Sequence, residues 1–156
     1  MSYSQDEKMF KQILTTIINS TAGLKYAILI DDTGITIDSQ SKFTFTEEDH
    51  ISVDKIGAIG GAVFTAGEEQ GVILGYGGIS LQISEYEKGM IFSIKIDNGA
   101  LVLATDLNVQ VGFIRALLKK WAPKLAKLLN RYLETSDKEA IKEQLKEVFS
   151  IDSPGI

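Results

Sequence analysis

The chain of 156 residues has no cysteine, one histidine and two prolines. Without cysteine there are no disulfides and no thiolate-ligated metals, which fits a cytoplasmic protein. A lone histidine, His50, cannot assemble a zinc site or a serine–histidine–acid set, so it reads as a surface residue near a helix start. Apolar runs of the ~20 residues needed to cross a bilayer are absent. The start, Met1-Ser2-Tyr3-Ser4-Gln5-Asp6-Glu7, lacks the basic residues and apolar core of a signal peptide. Nothing divides the sequence into repeats or low-complexity tracts. What remains is a chain that is 44% hydrophobic and 24% charged, long enough for one domain with a substantial core.

Charge is unevenly placed. The net charge is −5, yet residues 115–156 carry nine basic and six acidic side chains, and the first 114 carry seven and fifteen. From Arg115 to Arg131 there are six positive charges and no acid. Such a stretch could face an acidic partner or an anionic membrane, with a solvated helix face as the simpler reading. The overall acidity argues against nucleic-acid binding.

Glycine is abundant where it is costly. Helical spacing predicts a helix from about 47 to 74, carrying Ile51, Ile56, Ile59, Val63, Phe64, Ile73 and Leu74. Gly57, Gly60, Gly61, Gly67 and Gly71 interrupt it, each costing up to ~1 kcal/mol against alanine. Close approach of a second backbone is the expected compensation. The strand that follows, 79–86, alternates Ile79, Leu81 and Ile83 with Ser80, Gln82 and Ser84, as a half-buried edge strand does. Helix and strand together predict a dimer interface formed by Gly57, Gly60, Gly61, Phe64, Gly67, Gly71, Ser80, Gln82 and Ser84.

The rest of the chain reads as follows. Ser4 and Glu7 make a capping box for a first helix over 5–20, with Phe10, Ile13, Leu14, Ile17 and Ile18 on one face. The apolar run 24–30 predicts a strand buried on both sides, and Asp31-Asp32-Thr33-Gly34 a turn into a returning strand. Further strands are expected over 90–96 and 100–104, joined through Asn98-Gly99, a strong hairpin signal. Asn108 opens a third helix with the stripe Ile114, Leu117, Leu118, Trp121, Leu125, Leu128, Leu129 and Tyr132, which Pro123 should kink or break. A second capping box, Ser136 to Glu139, predicts a separate last helix over 137–149 that folds back and buries Ile141, Leu145, Val148 and Phe149 within its own dimer, the alternative being an arm that packs onto a partner.

No catalytic motif is complete in this sequence. Asp32-Thr33-Gly34 matches the aspartic-protease triplet, but that chemistry needs two such aspartates, and aspartate with glycine is also plain turn chemistry. The glycines lie within or after a helix, where phosphate-binding loops do not occur. The sequence therefore implies no enzyme, cofactor or metal.

The order α-β-β-α-β-β-β-α, an α/β (α+β) arrangement, resembles the roadblock/dynein light-chain family. The matching pieces are Tyr26 to Ile37, the small-residue helix ending in Leu74-Gly75-Tyr76-Gly77-Gly78, the strand triplet 79–105, and Leu107-Asn108-Val109-Gln110-Val111-Gly112. This resemblance implies a roadblock/profilin-like domain over 1–133, with a five-stranded antiparallel sheet between helix 2 and helices 1 and 3, and a C-terminal helical extension over 134–156. It further implies a homodimer through helix 2 and strand 3 that binds and regulates a small Ras-like GTPase without catalytic residues of its own. The alternative is a purely structural scaffold or light-chain-like subunit. Candidate partner-binding residues are Glu47, Glu48, Asp54, Glu68 and Glu69, and membrane contact is not expected except through a partner.

Overall fold

The computed structural model describes the backbone of residues 3–42 and 47–151 and the side chains of residues 5–42 and 52–149. The elements are α1 (Tyr3–Ile18), β1 (Leu24–Asp31), β2 (Thr36–Ser41), α2 (Glu47–Leu74), β3 (Leu81–Tyr86), β4 (Gly89–Lys95), β5 (Gly99–Thr105) and α3 (Val111–Ile151). The five strands form one antiparallel sheet in the order β2-β1-β5-β4-β3. This is the expected fold, with β1 and β5 inside the sheet and β3 at an edge.

From Ala27 to Ile30 on β1 and from Ala100 to Leu103 on β5 the strands are apolar and buried because both of their faces are covered. Leu29 on β1 and Leu101 and Leu103 on β5 join Phe10, Leu14 and Ile17 of α1 and Ile114, Leu118, Leu125 and Leu129 of α3 in the larger core. Their neighbours Ile28, Ile30, Ala100 and Val102 point the other way and form a smaller core under α2 with Val53. α1 and α3 are held together by a pair far apart in sequence. The Asp6 carboxylate is fully buried, and Arg131 Nη2 and Nε donate to its Oδ1 at 2.8 and 3.1 Å. Ser4, read as the cap of α1, has its side chain outside the described residues.

The β1–β2 hairpin confirms the turn reading of Asp32-Thr33-Gly34. Asp31 Oδ1 accepts from the backbone N–H of Thr33 and Ile35 at 2.9 and 3.0 Å and from the Thr33 hydroxyl at 2.6 Å. Gly34 closes the turn at φ +86°, a left-handed conformation that glycine adopts without strain. At the β4–β5 turn the left-handed residue is Asp97, at φ 52°, rather than either member of Asn98-Gly99. Gly99 instead starts β5 so close to β1 that an added Cβ would lie 2.1 Å from the Ile30 carbonyl oxygen. The Asn98 amide donates to Asn130 Oδ1 at 2.8 Å and the Asn130 amide to Asp97 Oδ2 at 3.2 Å, tying this turn to α3.

Two expectations about α3 are corrected. Neither Pro123 nor Ser136 breaks it: one helix of 41 residues runs from Val111 to Ile151, about 60 Å long. Proline removes one helical N–H, but Leu118 on one side of it and Leu125 on the other are both fully buried against the same core. That shared burial keeps the helix continuous through Pro123, which is itself exposed, so the freed carbonyl one turn back can meet water. At the second site Thr135 Oγ1 bonds back to the Arg131 carbonyl at 3.0 Å, a mid-helix pattern. The last helix therefore does not fold back. Residues 137–149 extend α3 and are exposed throughout.

Candidate interaction surface

α2 crosses β1, β2 and β5 and leaves the same face of β4 and β3 uncovered. The result is a groove of about 220 Å³ lined by Ile56, Ile59, Gly60 and Val63 of α2, Gln82, Ser84 and Tyr86 of β3, and Ile91 and Ser93 of β4. Ile59 is 64% exposed and Val63 45%, high values for β-branched side chains in the middle of a helix that packs on a sheet. β3 pairs only with β4, so its outer edge presents unpaired backbone groups beside this groove.

Within the chain, Gly57 and Gly61 face its own sheet. A Cβ on Gly57 would stand 3.0 Å from Ile30 Cγ2, 3.1 Å from Thr36 Oγ1 and 3.3 Å from Ile28 Cγ2. On Gly61 it would meet Ile30 Cδ1 at 3.1 Å and Gly34 Cα at 3.2 Å. Phe64, 4% exposed, is likewise buried within the single chain. Gly67 and Gly71 instead make room for the chain that leaves α2. Gly75, at φ +71°, ends the helix in a Schellman motif, with Tyr76 N–H bonded to the Gly71 carbonyl at 2.9 Å and Gly75 N–H to that of Val72 at 3.2 Å. Residues 75–80 then run back along α2, placing Ile79 against Gly67 and the Gly77 carbonyl against Gly71. That return path is why β3 begins at Leu81 and not at 79, and it leaves Ser80 exposed ahead of the strand.

Of the residues assigned to an interface by sequence, the structure brings Gly60, Gln82 and Ser84 together at the groove. The residues the sequence reading did not assign to an interface include Tyr86 and Ile91, and Ile59 and Val63, which it named only as apolar residues of the helix. Their signal was present as an i, i+4 pair of β-branched residues, but periodicity alone does not say which side of a helix a sheet takes.

The acidic candidates do not converge. Asp54 and Glu69 are exposed and stand fifteen residues apart on α2, roughly 22 Å. Glu68 is taken up by Lys95 at 2.5 Å. The side chains of Glu47, Glu48 and His50 lie outside the described residues. Among the described residues no group of three or more histidine, aspartate or glutamate side chains is placed to hold a metal ion, and no described helix is long and apolar enough to cross a membrane. Among the described residues, Asp38 has a perturbed environment, in a cleft with Glu7, Lys8 and Lys11. Burial raises its pKa above the ordinary 3.8, against the pull of the Ser39 N–H and Lys11, and Glu7 adds to the rise.

No family model matches the sequence. An uncharacterized protein of Methanocaldococcus jannaschii, MJ0714, is 29% identical over 119 residues, which cover 76% of this chain and 95% of that protein. Among solved structures, MglB of Myxococcus xanthus superposes with a TM-score of 0.71 at 16% identity, covering 85% of this chain and 96% of its own. The Roadblock/LC7 domain from Streptomyces avermitilis gives a TM-score of 0.62 at 14% identity, covering 73% and 95%. In element order, sheet topology and helix placement, this chain has the roadblock fold.

Proposed function

We propose that this chain is the protomer of a homodimeric roadblock-type platform that binds and regulates a small Ras-like GTPase and contributes no catalytic residue of its own. The observation that carries the dimer is the bare edge of β3 beside a half-covered apolar groove, two unfinished surfaces on one side of the molecule. Pairing β3 with its copy would extend the sheet and set a second α2 alongside the first, burying Ile59, Val63, Tyr86 and Ile91. In this reading the contact is made by those four side chains with Gly60, Gln82 and Ser84, and by Ser80 just ahead of the strand. Gly57, Gly61, Phe64, Gly67 and Gly71 support it from behind. The roadblock-like domain is residues 1–133, with 134–156 an extension.

The GTPase assignment rests on the likeness to MglB and on the roles that the roadblock resemblance implies. Such a platform acts by holding the switch loops of its partner, so side chains suited to nucleophilic or acid–base chemistry are not required of it. Exposed Asp54 and Glu69 on α2 are the candidate contacts. The test is to measure GTP hydrolysis and nucleotide release by small GTPases encoded near its gene, with and without the purified protein, alongside its mass by light scattering. A change in either rate supports the reading. A monomer at high micromolar concentration would remove the platform, and a stable complex that alters neither rate would make the protein a structural subunit instead.

A further inference from the structure

The outward side of α3 combines a line of lysines with an apolar stripe, an observation that does not depend on the reading above. At 100° per residue, with Leu125 of the buried stripe set at zero, Ile141, Leu145 and Val148 fall at about 160°, 200° and 140°, and Phe149 at about 240°. The apolar stripe of the extension is thus turned to the side away from the core, where the body of the domain cannot cover it. These four side chains are 49–65% exposed. The same outward sector carries Lys120, Lys124 and Lys127 at about 220°, 260° and 200°, and then Lys138 and Lys142 at about 220° and 260°. Phe113, 46% exposed, stands at the start of this line.

The acids of the extension lie elsewhere. Glu139, Glu143 and Glu147 fall at about 320°, 0° and 40°, on the side of the buried stripe. Glu134 is the acid within the outward sector, four residues before Lys138, and Asp137 flanks it. Among the described residues the ion pairs are Lys95–Glu68 and Arg131–Asp6, and none of these five lysines is in either. Lys120 and Lys124 lie over the Trp121 ring, 5.5 and 4.9 Å from its centroid.

We propose that the outward face of α3 lies on an anionic lipid surface, with the lysines at the headgroup phosphates and Ile141, Leu145, Val148 and Phe149 at the acyl boundary. A basic line running into an apolar stripe on one face of one helix is what an interfacial helix requires. A nucleic acid would satisfy the lysines and leave the stripe in water. The placement also fits the sheet: α1 and α3 cover the face opposite α2, so the groove beside α2 stays free when α3 is engaged. The proposal departs from the expectation that membrane contact comes only through a partner.

The experiment is co-sedimentation of the purified full chain with vesicles of phosphatidylglycerol and of phosphatidylcholine, at low and high salt. Binding to the anionic vesicles should exceed binding to the neutral ones at least tenfold and weaken with salt. Lys120→Glu, Lys124→Glu and Lys127→Glu combined should lose at least about a hundredfold in affinity. Leu145→Ser with Phe149→Ser should also weaken binding, while Glu139→Gln with Glu143→Gln leaves it within twofold. All these positions are exposed, and circular dichroism checks that the variants fold. Equal binding to both vesicles, no binding at low salt, or full binding by the lysine variant would overturn the proposal. So would a Leu145→Ser, Phe149→Ser variant that changes oligomeric mass but not vesicle binding, because the stripe would then belong to a second copy.

Discussion

Gly57 and Gly60 occupy the same helix three residues apart, yet replacing each by alanine should move stability in opposite directions. Either change removes the conformational cost of a helical glycine, a gain of about 1 kcal/mol. At Gly60 the new methyl group would meet Val102 Cγ2 at 3.4 Å and Cγ1 at 3.8 Å, which is ordinary contact, so the gain stands. At Gly57 it would meet Ile30, Thr36 and Ile28 at 3.0 to 3.3 Å, three side chains from two paired strands. Those strands cannot retreat independently, and overpacking of this kind costs about 1–3 kcal/mol. The net is a loss of about 1 kcal/mol for Gly57→Ala, hence a spread of about 2 kcal/mol between the variants.

For a chain of this size that spread corresponds to about 4–8 °C in Tm. Thermal melts followed by circular dichroism, at two protein concentrations tenfold apart, measure it. Gly57→Ala melting at or above Gly60→Ala would refute the assignment of these glycines to the contact between α2 and its own sheet. Gly60→Ala melting below wild type, with a deficit that grows on dilution, would show that the second α2 of the proposed dimer rests directly on the α-carbon at position 60.

Further outcomes are expected elsewhere in the molecule. Arg131→Met should cost about 3 kcal/mol, because it strands the buried Asp6 carboxylate, and adding Asp6→Leu should recover most of the loss in denaturant unfolding. The folded Asp38 carboxyl holds its proton more tightly than the unfolded one, so its ionisation opposes folding at neutral pH and that penalty fades as the pH falls toward 3.8. Asp38→Asn should therefore raise stability at pH 7, with the advantage gone below that value. Truncation after Glu134 removes a segment that is exposed from residue 137 to 149, so Tm should stay within about 2 °C. A larger drop in calorimetry would mean that the segment is buried in the assembled protein.

What the sequence made legible was local or alternating. Leu29 and Ile30 point to opposite faces of β1 and both are buried, so a near-continuous apolar run was enough to place that strand inside the sheet. Asp31 to Gly34 form their turn through bonds spanning at most four residues, which is why turn chemistry identified it. The misreadings each involve a competition that distance along the chain conceals. Pro123 and Ser136 carry real local signals for ending a helix, and burial of Leu125 and Leu129 together with the Thr135–Arg131 bond outweighs them. Asp6 and Arg131 lie 125 residues apart, and each looked like one more solvated charge on an amphipathic helix. The glycines of α2 announced a close approach but not the approaching surface, because a sheet beneath and a helix alongside place the same demand on an α-carbon.

That ambiguity bears on how the groove arises. On the α1/α3 side of the sheet, two helices fill the layer with long side chains such as Phe10, Leu14, Leu118 and Leu125. On the other side one helix does the covering, and glycine at 57 and 61 lets it descend onto Ile28, Ile30 and the hairpin at Gly34. A helix seated that low over β1 and β2 cannot also reach across β4 and β3. Large side chains at 57 and 61 would lift it off the sheet, and Ile59 and Val63 would then stand above Ile91 and Tyr86 without forming a common wall with them. The small residues thus shape the apolar surface without being part of it. The surface itself is made by the β-branched residues on the neighbouring side of α2, whose exposure is the consequence of how closely the glycines let that helix sit.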